Sequence, residues 1–439
     1  MPDPRAVAPL RLISRRAIKA WGEELWLNST RPEFPAMLSK KRSLAQALRR
    51  RPQLLGSWSR RLFGPDLPVF AKFIRTDFPP IAHIGFSTLV RPQEFLSWIC
   101  REQDLLAALR RGLRLPDERA FHGFERVYEG WATDQALAGW EAAPARDRRF
   151  VRAMGRYCRL DREDMSRLAE DLRRSHQRMV RVLNEVDLRK ETGNLLMIKA
   201  GLLHALFGLS LQFHPQDPTQ EALQEFILAG GGRAVKKLRQ ARQRLCADAA
   251  PKSEVWMSLP GDGKLRLAEV QQSSDCTRSV ADFFTPFVWM KGARFRKGHP
   301  ALGLTDASLR RLMEGIDFSV TTVSSIRCRA QALDPGAGAR RCRLWELLDR
   351  PALWPFFTVR RLDLGEGGRA TVPAARTFQH LVVLSGGIRL ESLGRSWRLA
   401  PAAAAFLPAD LPQGCTVSAA APASLLLVGI PAPRGDCGA

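Results

Sequence analysis

The stretch KAGLLHALFGLSLQFHPQD, residues 199–217, carries two of the chain's seven histidines in a mostly apolar setting. On a strand, residues i and i+2 point to the same face, so Gln212 and His214 aim at one point. His204 lies close enough upstream for a tight hairpin to fold it back beside them. Glu254, in PKSEVWMSL, sits on a further candidate strand. Two imidazoles, a carboxylate and an amide oxygen make a mixed nitrogen and oxygen donor set. Zinc suits such a set, with a position left open for water or substrate. The competing reading is that these are separate polar residues packed on ordinary strands.

Working outward, NLLMIKAGLLHALFGLSLQFHP, EVWMSL and KLRLAEVQ read as strands, the last two around a Pro-Gly-Asp-Gly turn. The helical pattern of TQEALQEFILAGGGRAVKKLRQARQRLC interrupts them. Upstream, Phe95, Trp98, Ile99, Leu106 and Leu109 follow a helical period, as do Met165, Leu168, Leu172, Met179 and Leu183. Residues 92–190 therefore form a helical block, with His176 a core or boundary histidine. Between Trp21 and Phe86 the prolines predict short strands and turns rather than long helices. TDASLRRLMEGIDF predicts a short helix capped by Thr305 or Asp306, and LDPGAGARRCR a linker. Beyond it, short strands at near-regular spacing predict a sandwich or jelly roll. His380 there has no second ligand near it in sequence and reads as structural.

The net charge is +24, and eight cysteines are scattered without a Cys-x-x-Cys pair. Scattered thiols point to a reducing cytoplasm and away from a disulfide framework or a cysteine zinc site. No apolar run reaches the roughly 18 residues of a membrane helix, and the N-terminus lacks a signal peptide's apolar core. Basic runs such as AVKKLRQARQRLC could contact phosphate backbones. No nucleic-acid motif accompanies them, so no nucleic-acid partner is expected; a solvated basic surface or small anionic substrates fit the charge.

Several motifs resemble type I mannose-6-phosphate isomerase, a zinc-dependent family of the cupin superfamily. LSLQFHPQD resembles its L-S-x-Q-x-H-P, PKSEVW its K-[TP]-E-x-W, and IKAGLLHAL its P-A-G-x-x-H-A. LAEVQQSSD, FRKGHPAL, WGEELWLNSTRP and the C-terminal strands match further blocks. The resemblance implies a mostly β chain with a helical insertion, built from two cupin-type β-sandwich (jelly-roll) domains plus the helical block. Residues 1–91 and 191–332 would form the first, metal-binding sandwich, 92–190 the helical block, and 345–433 a metal-free second sandwich. It implies His204, Gln212, His214 and Glu254 as zinc ligands, with Lys252 and Arg296 as catalytic residues beside a hexose 6-phosphate. The implied reaction interconverts mannose 6-phosphate and fructose 6-phosphate through an enediolate, in the cytoplasm.

Two departures bear on this. The family's Gln-x-His strand precedes the glutamate and the last histidine, whereas here His204 comes first. Where Gln-x-His-Pro would fall, after FAKFIRT, the chain reads DFPPIAHIGF. His83 occupies the glutamine's place, making it the alternative ligand, and Gly85 the histidine's. These departures open a second reading, a non-catalytic or altered-specificity cupin that binds a sugar or a regulatory partner.

Overall fold

The computed structural model describes residues 8–431 except 20–21, 32–33, 65–66, 77–80, 138–143, 207–209, 215–252, 261–265, 274–277, 283–312, 349–356, 410 and 412. The chain is mostly β, with large antiparallel sheets and a helical block. A seven-stranded sheet runs in the order Arg327–Cys328, Leu195–Ile198, Glu254–Ser258, Arg266–Gln272, Val69–Thr76, Gly22–Trp26, Arg15–Lys19. A five-stranded sheet runs Arg278–Asp282, Ser210–Phe213, His204–Leu206, Ile81–Phe86, Leu183–Asp187.

Burial on both faces explains the composition of Val69–Thr76. Val69, Ala71 and Phe73 pack in one core and Ile74 in another, so the strand reads VFAKFIRT, almost unbroken in apolar residues. Lys72 interrupts the apolar run and is itself buried, and Arg75 and Thr76 end the strand. The five-stranded sheet packs one face toward the seven-stranded sheet, where Ile84 meets Ile198 and Trp256 in one cluster. On its other face, Phe86, Ala205, Leu211 and Phe213 pack with Phe95 and Ile99 of the Pro92–Gly112 helix and Met179 of the Arg162–Arg181 helix.

The helical block adds Glu118–Leu137 and Pro144–Met154 to these two helices. The helical periods hold as far as Arg181, with Phe95, Ile99, Leu106 and Leu109 buried on one helix and Met165, Leu168, Leu172 and Met179 on the other; Leu183, read as the end of the second period, instead opens the strand Leu183–Asp187. Asp161 caps the second, accepting from the Asp164 amide at 2.8 Å. His176 lies in that buried stripe, 3.9 Å from the Glu102 carboxylate. Burial pushes the Glu102 carboxyl up to about 8, against a hydrogen bond from Ser175.

The C-terminal strands join one ten-stranded sheet that curls until it is nearly barrel-like. Its longest strand, Thr358–Val372, pairs first with Ala423–Gly429 and then with Cys415–Ser418. The run Gly365-Glu366-Gly367-Gly368 allows the change of partner: Gly367 has φ +66°, and a Cβ on Gly368 would stand 2.8 Å from the Arg341 carbonyl oxygen. Leu10–Leu12 pairs with Ala404–Leu407 at this sheet's edge, a partner far away in sequence. Val69, Phe73, Val255 and Met257 of the seven-stranded sheet pack against Phe378, Val382, Phe406 and Val428 of the curled sheet.

Two local expectations are corrected. Short helices, Leu44–Arg50 and Ser57–Phe63, lie in the region read as strands and turns. A Ser43–Gln46 capping box starts the first, and Pro52 opens a 3-10 turn between them. The expected linker is a hairpin, with Gln331–Leu333 paired to Arg340–Leu348. The helix expected over 305–318 lies mostly outside the described residues. No helix among the described residues is long and apolar enough to cross a membrane.

Candidate metal centre

Glu254 opens the Glu254–Ser258 strand, flanked in register by Ile198 and Gln271. It points between the two sheets and is buried. Trp256, two residues on and facing the same way, donates from Nε1 to Glu254 Oε1 at 2.9 Å. His204 sits across from Gln212 in the antiparallel register, so both side chains share one face. His214 follows directly after that strand. Its carbonyl accepts from the Gly201 amide at 2.5 Å, and Gly201 adopts φ +86°. The Ala-Gly turn before His204 thus ties down the end of the strand that carries His214.

These residues meet. His204 Nε2 stands 3.5 Å from Glu254 Oε1, and His214 Nε2 stands 3.4 Å from Glu254 Oε2. The ligand atoms of the three all lie within 4.8 Å of one another, and all three residues are buried. Two donors on a tetrahedral zinc at about 2.0–2.1 Å would stand about 3.3–3.4 Å apart. The two observed spacings, each to a different oxygen of the Glu254 carboxylate, are close to that length. His204 Nδ1 lies 3.0 Å from the Leu202 carbonyl oxygen. A carbonyl can only accept, so Nδ1 carries a proton toward it, and Nε2 is the ring nitrogen turned toward Glu254. The donor set and its orientation fit a bound metal ion.

Gln212 lies beside this triad on the same face and is half-buried. His83 does not join it: its register partner is Ala205, which places its side chain on the opposite face from His204. Burial there pushes the His83 imidazole down to about 4. The Gly85 position leaves no room for a second ligand. A Cβ there would stand 2.8 Å from Leu202 Cδ1 and 2.9 Å from Thr321 Cβ. Lys252 and Arg296 lie outside the described residues. His380, fully buried between Phe378 and Phe406, has its imidazole pushed down to about 3 by burial, as a core residue would.

Sequence reasoning missed a second polar row on the same inner face. In register, Trp256 is followed by Glu269, Lys72 and Trp26 on successive strands. Lys72 Nζ lies 2.9 Å from Glu269 Oε1 and 5.0 Å from the Trp26 ring centre. Trp26 Nε1 donates to Glu24 Oε2 at 3.0 Å. Burial alone would push the Lys72 ammonium down; the charges of Glu269, Glu24 and Glu254 outweigh it and hold the ammonium well above its ordinary range. The triad therefore faces a permanent buried cation that senses Glu254. The available signal was a lysine inside an otherwise apolar strand.

No family model matches the chain, and no curated protein matches it. Solved structures do. The apo form of mannose 6-phosphate isomerase from Salmonella typhimurium aligns over 97% of this chain and 100% of its own, at 13% identity and a TM-score of 0.50. A point mutant of phosphomannose isomerase from the same organism aligns with the same coverage, identity and score. Across nearly its whole length, the chain is similar in fold to these isomerases.

Proposed function

We propose that the chain is a zinc-dependent aldose–ketose isomerase that interconverts mannose 6-phosphate and fructose 6-phosphate. The observation that carries this reading is the convergence of His204, His214 and Glu254 inside a protein of this fold. Gln212 completes the ligand set from the neighbouring position. When bound, zinc would polarise the substrate carbonyl and adjacent hydroxyl, and with one carboxylate ligand the site keeps a net charge of about +1.

The chain's own residues supply the rest. Trp256 fixes the Glu254 carboxylate and helps to exclude water. Lys72 stays charged and offsets the negative charge of an enediolate in a dry cavity. Lys252, two residues before Glu254, stands as the candidate proton-transfer residue. Arg296 takes the phosphate or the oxyanion, where a forked guanidinium serves better than a lysine. The architecture in this reading is two cupin-type sandwiches, divided at 1–91, 92–190, 191–332 and 345–433, in a cytoplasmic protein.

The second reading, an altered cupin that binds a sugar without isomerising it, draws support from His83 and Gly85, which cannot provide the ligand pair at the family's usual position. The separating experiment measures zinc content and mannose-6-phosphate isomerase activity of the same preparation. One zinc per chain with turnover supports the isomerase. Zinc without turnover supports the altered cupin. Failure to retain zinc after reconstitution would overturn the isomerase reading and favour the altered cupin.

A further inference from the structure

The Arg266–Gln272 strand ends in two neighbouring glutamines, both buried, that its pleat sends to opposite faces. Gln272 shares a face with Ala268 and Val270, which pack toward the curled sheet. Its Oε1 accepts from the Ser253 amide at 2.9 Å, and its own amide donates to the Ser253 carbonyl at 3.1 Å. Gln272 therefore fastens the chain one residue before Glu254.

Gln271 faces the polar interior. It stands directly across from Glu254 in the antiparallel register and shares its face with Glu269, two residues earlier. Its Oε1 is buried and has no hydrogen-bond partner among the described residues. An orphaned buried acceptor costs stability, and one kept in a folded protein asks for a donor from outside the chain. The side chains around it on that face do not supply one. Ionised Glu254 and Glu269 only accept. Trp256 Nε1 donates to Glu254, and the Lys72 ammonium is held by Glu269. On the other side, in register, Phe70 offers only a ring, stacked on Trp26 with centroids 5.0 Å apart.

We infer that Gln271 is a substrate-holding residue of the metal centre, its carboxamide oxygen accepting from a hydroxyl of a sugar chain bound at His204, His214 and Glu254. The inference rests on reading that centre as a sugar-phosphate site. One strand spacing, about 4.8 Å, separates Gln271 from Glu254, so a hexose derivative at the metal reaches it without leaving the interior. A hydroxyl is the donor that the interior lacks. The two glutamines thus divide the work: Gln272 serves the fold, and Gln271 is kept for a ligand.

Isothermal titration of the zinc-loaded full chain with mannitol 6-phosphate tests this, because that probe has the hydroxyls and no carbonyl to isomerise. Gln271→Met keeps the length of the side chain and removes the amide. It should weaken mannitol 6-phosphate by at least about fivefold, retain zinc, and leave the urea midpoint equal or higher. Gln272→Met removes the acceptor for Ser253 and should lower that midpoint. Unchanged affinity in Gln271→Met, loss of its zinc, a midpoint that falls as it does in Gln272→Met, or no binding of mannitol 6-phosphate by the wild-type chain would each overturn the inference. The isomerase reading fails separately: a wild-type chain that binds mannitol 6-phosphate through Gln271 and does not turn over mannose 6-phosphate overturns that reading and supports this one. Turnover by the wild type with unchanged binding in Gln271→Met does the reverse.

Discussion

The two β assemblies of this chain use similar strand textures and fill their interiors differently. Inside the curled C-terminal sheet, Leu362, Leu381, Val383, Leu390, Val417 and Leu425 form a closed apolar cluster. Between the seven- and five-stranded sheets, the inner face carries His204, Glu254, Glu269, Gln271 and Lys72, all buried. Burying a charge is expensive unless it is paired or holds a metal. The second interior therefore tolerates strain on stability that the first avoids, and the difference separates a site from a scaffold. Among the described residues, the His204–His214–Glu254 triad is the one His/Cys/Asp/Glu cluster arranged to hold a metal, and it lies in the polar interior.

The sharpest test removes the carboxylate. Glu254→Ala should lose zinc on dialysis and lower isomerase activity by at least about 10²-fold, read by metal analysis and a coupled assay. Wild-type zinc content in this variant would mean that the polar interior does not hold the metal.

Next in size is the buried cation. Lys72→Ala leaves Glu269 beside no ammonium and should destabilise the fold by about 3–5 kcal/mol in urea titrations. The double variant Lys72→Met, Glu269→Leu should recover most of that stability and still lack turnover. If activity returned along with stability, Lys72 would be a packing residue like those of the C-terminal interior.

That interior offers the complementary perturbation. Leu425→Ala should cost about 2–5 kcal/mol through the cavity it leaves, while zinc content stays at the wild-type value. Loss of zinc would show that the two assemblies are not separable in function.

The helical block predicts a pH effect. Glu102 titrates near 4.5 when unfolded and near 8 when folded. The unfolded chain thus holds fewer protons between those values, and stability falls as pH rises across that window, by at most about 1.4 kcal/mol per pH unit. Glu102→Gln should flatten this slope in denaturant titrations at pH 5, 6.5 and 8. The smallest expected effect is at the alternative ligand. His83→Leu should leave zinc content unchanged, because the side chain lies on the far face of its sheet.

The candidate ligands were legible because they depend on short-range rules. Gln212 and His214 share a face through the two-residue period of a strand, and His204 returns to them through one hairpin. Helical periods marked the block from Pro92 to Arg181 for the same local reason. The hairpin over 331–348 was hidden because its Asp-Pro-Gly-Ala-Gly turn has the composition of a linker. The short helices near Leu44 and Ser57 were hidden because prolines that bar long helices still open short ones.

From residue types and local spacing came the mostly β class, the helical insertion and the candidates His204, Gln212, His214 and Glu254, of which the structure brings His204, His214 and Glu254 together. Only the tertiary structure decided that His83 faces away from that set, that Lys72 pairs with Glu269, and that Gln271 stands across from Glu254. Each of these depends on which strands become neighbours and which face of each strand turns inward. Residues far apart in sequence are brought together by burial of whole sheets, a cooperative choice that no local window contains.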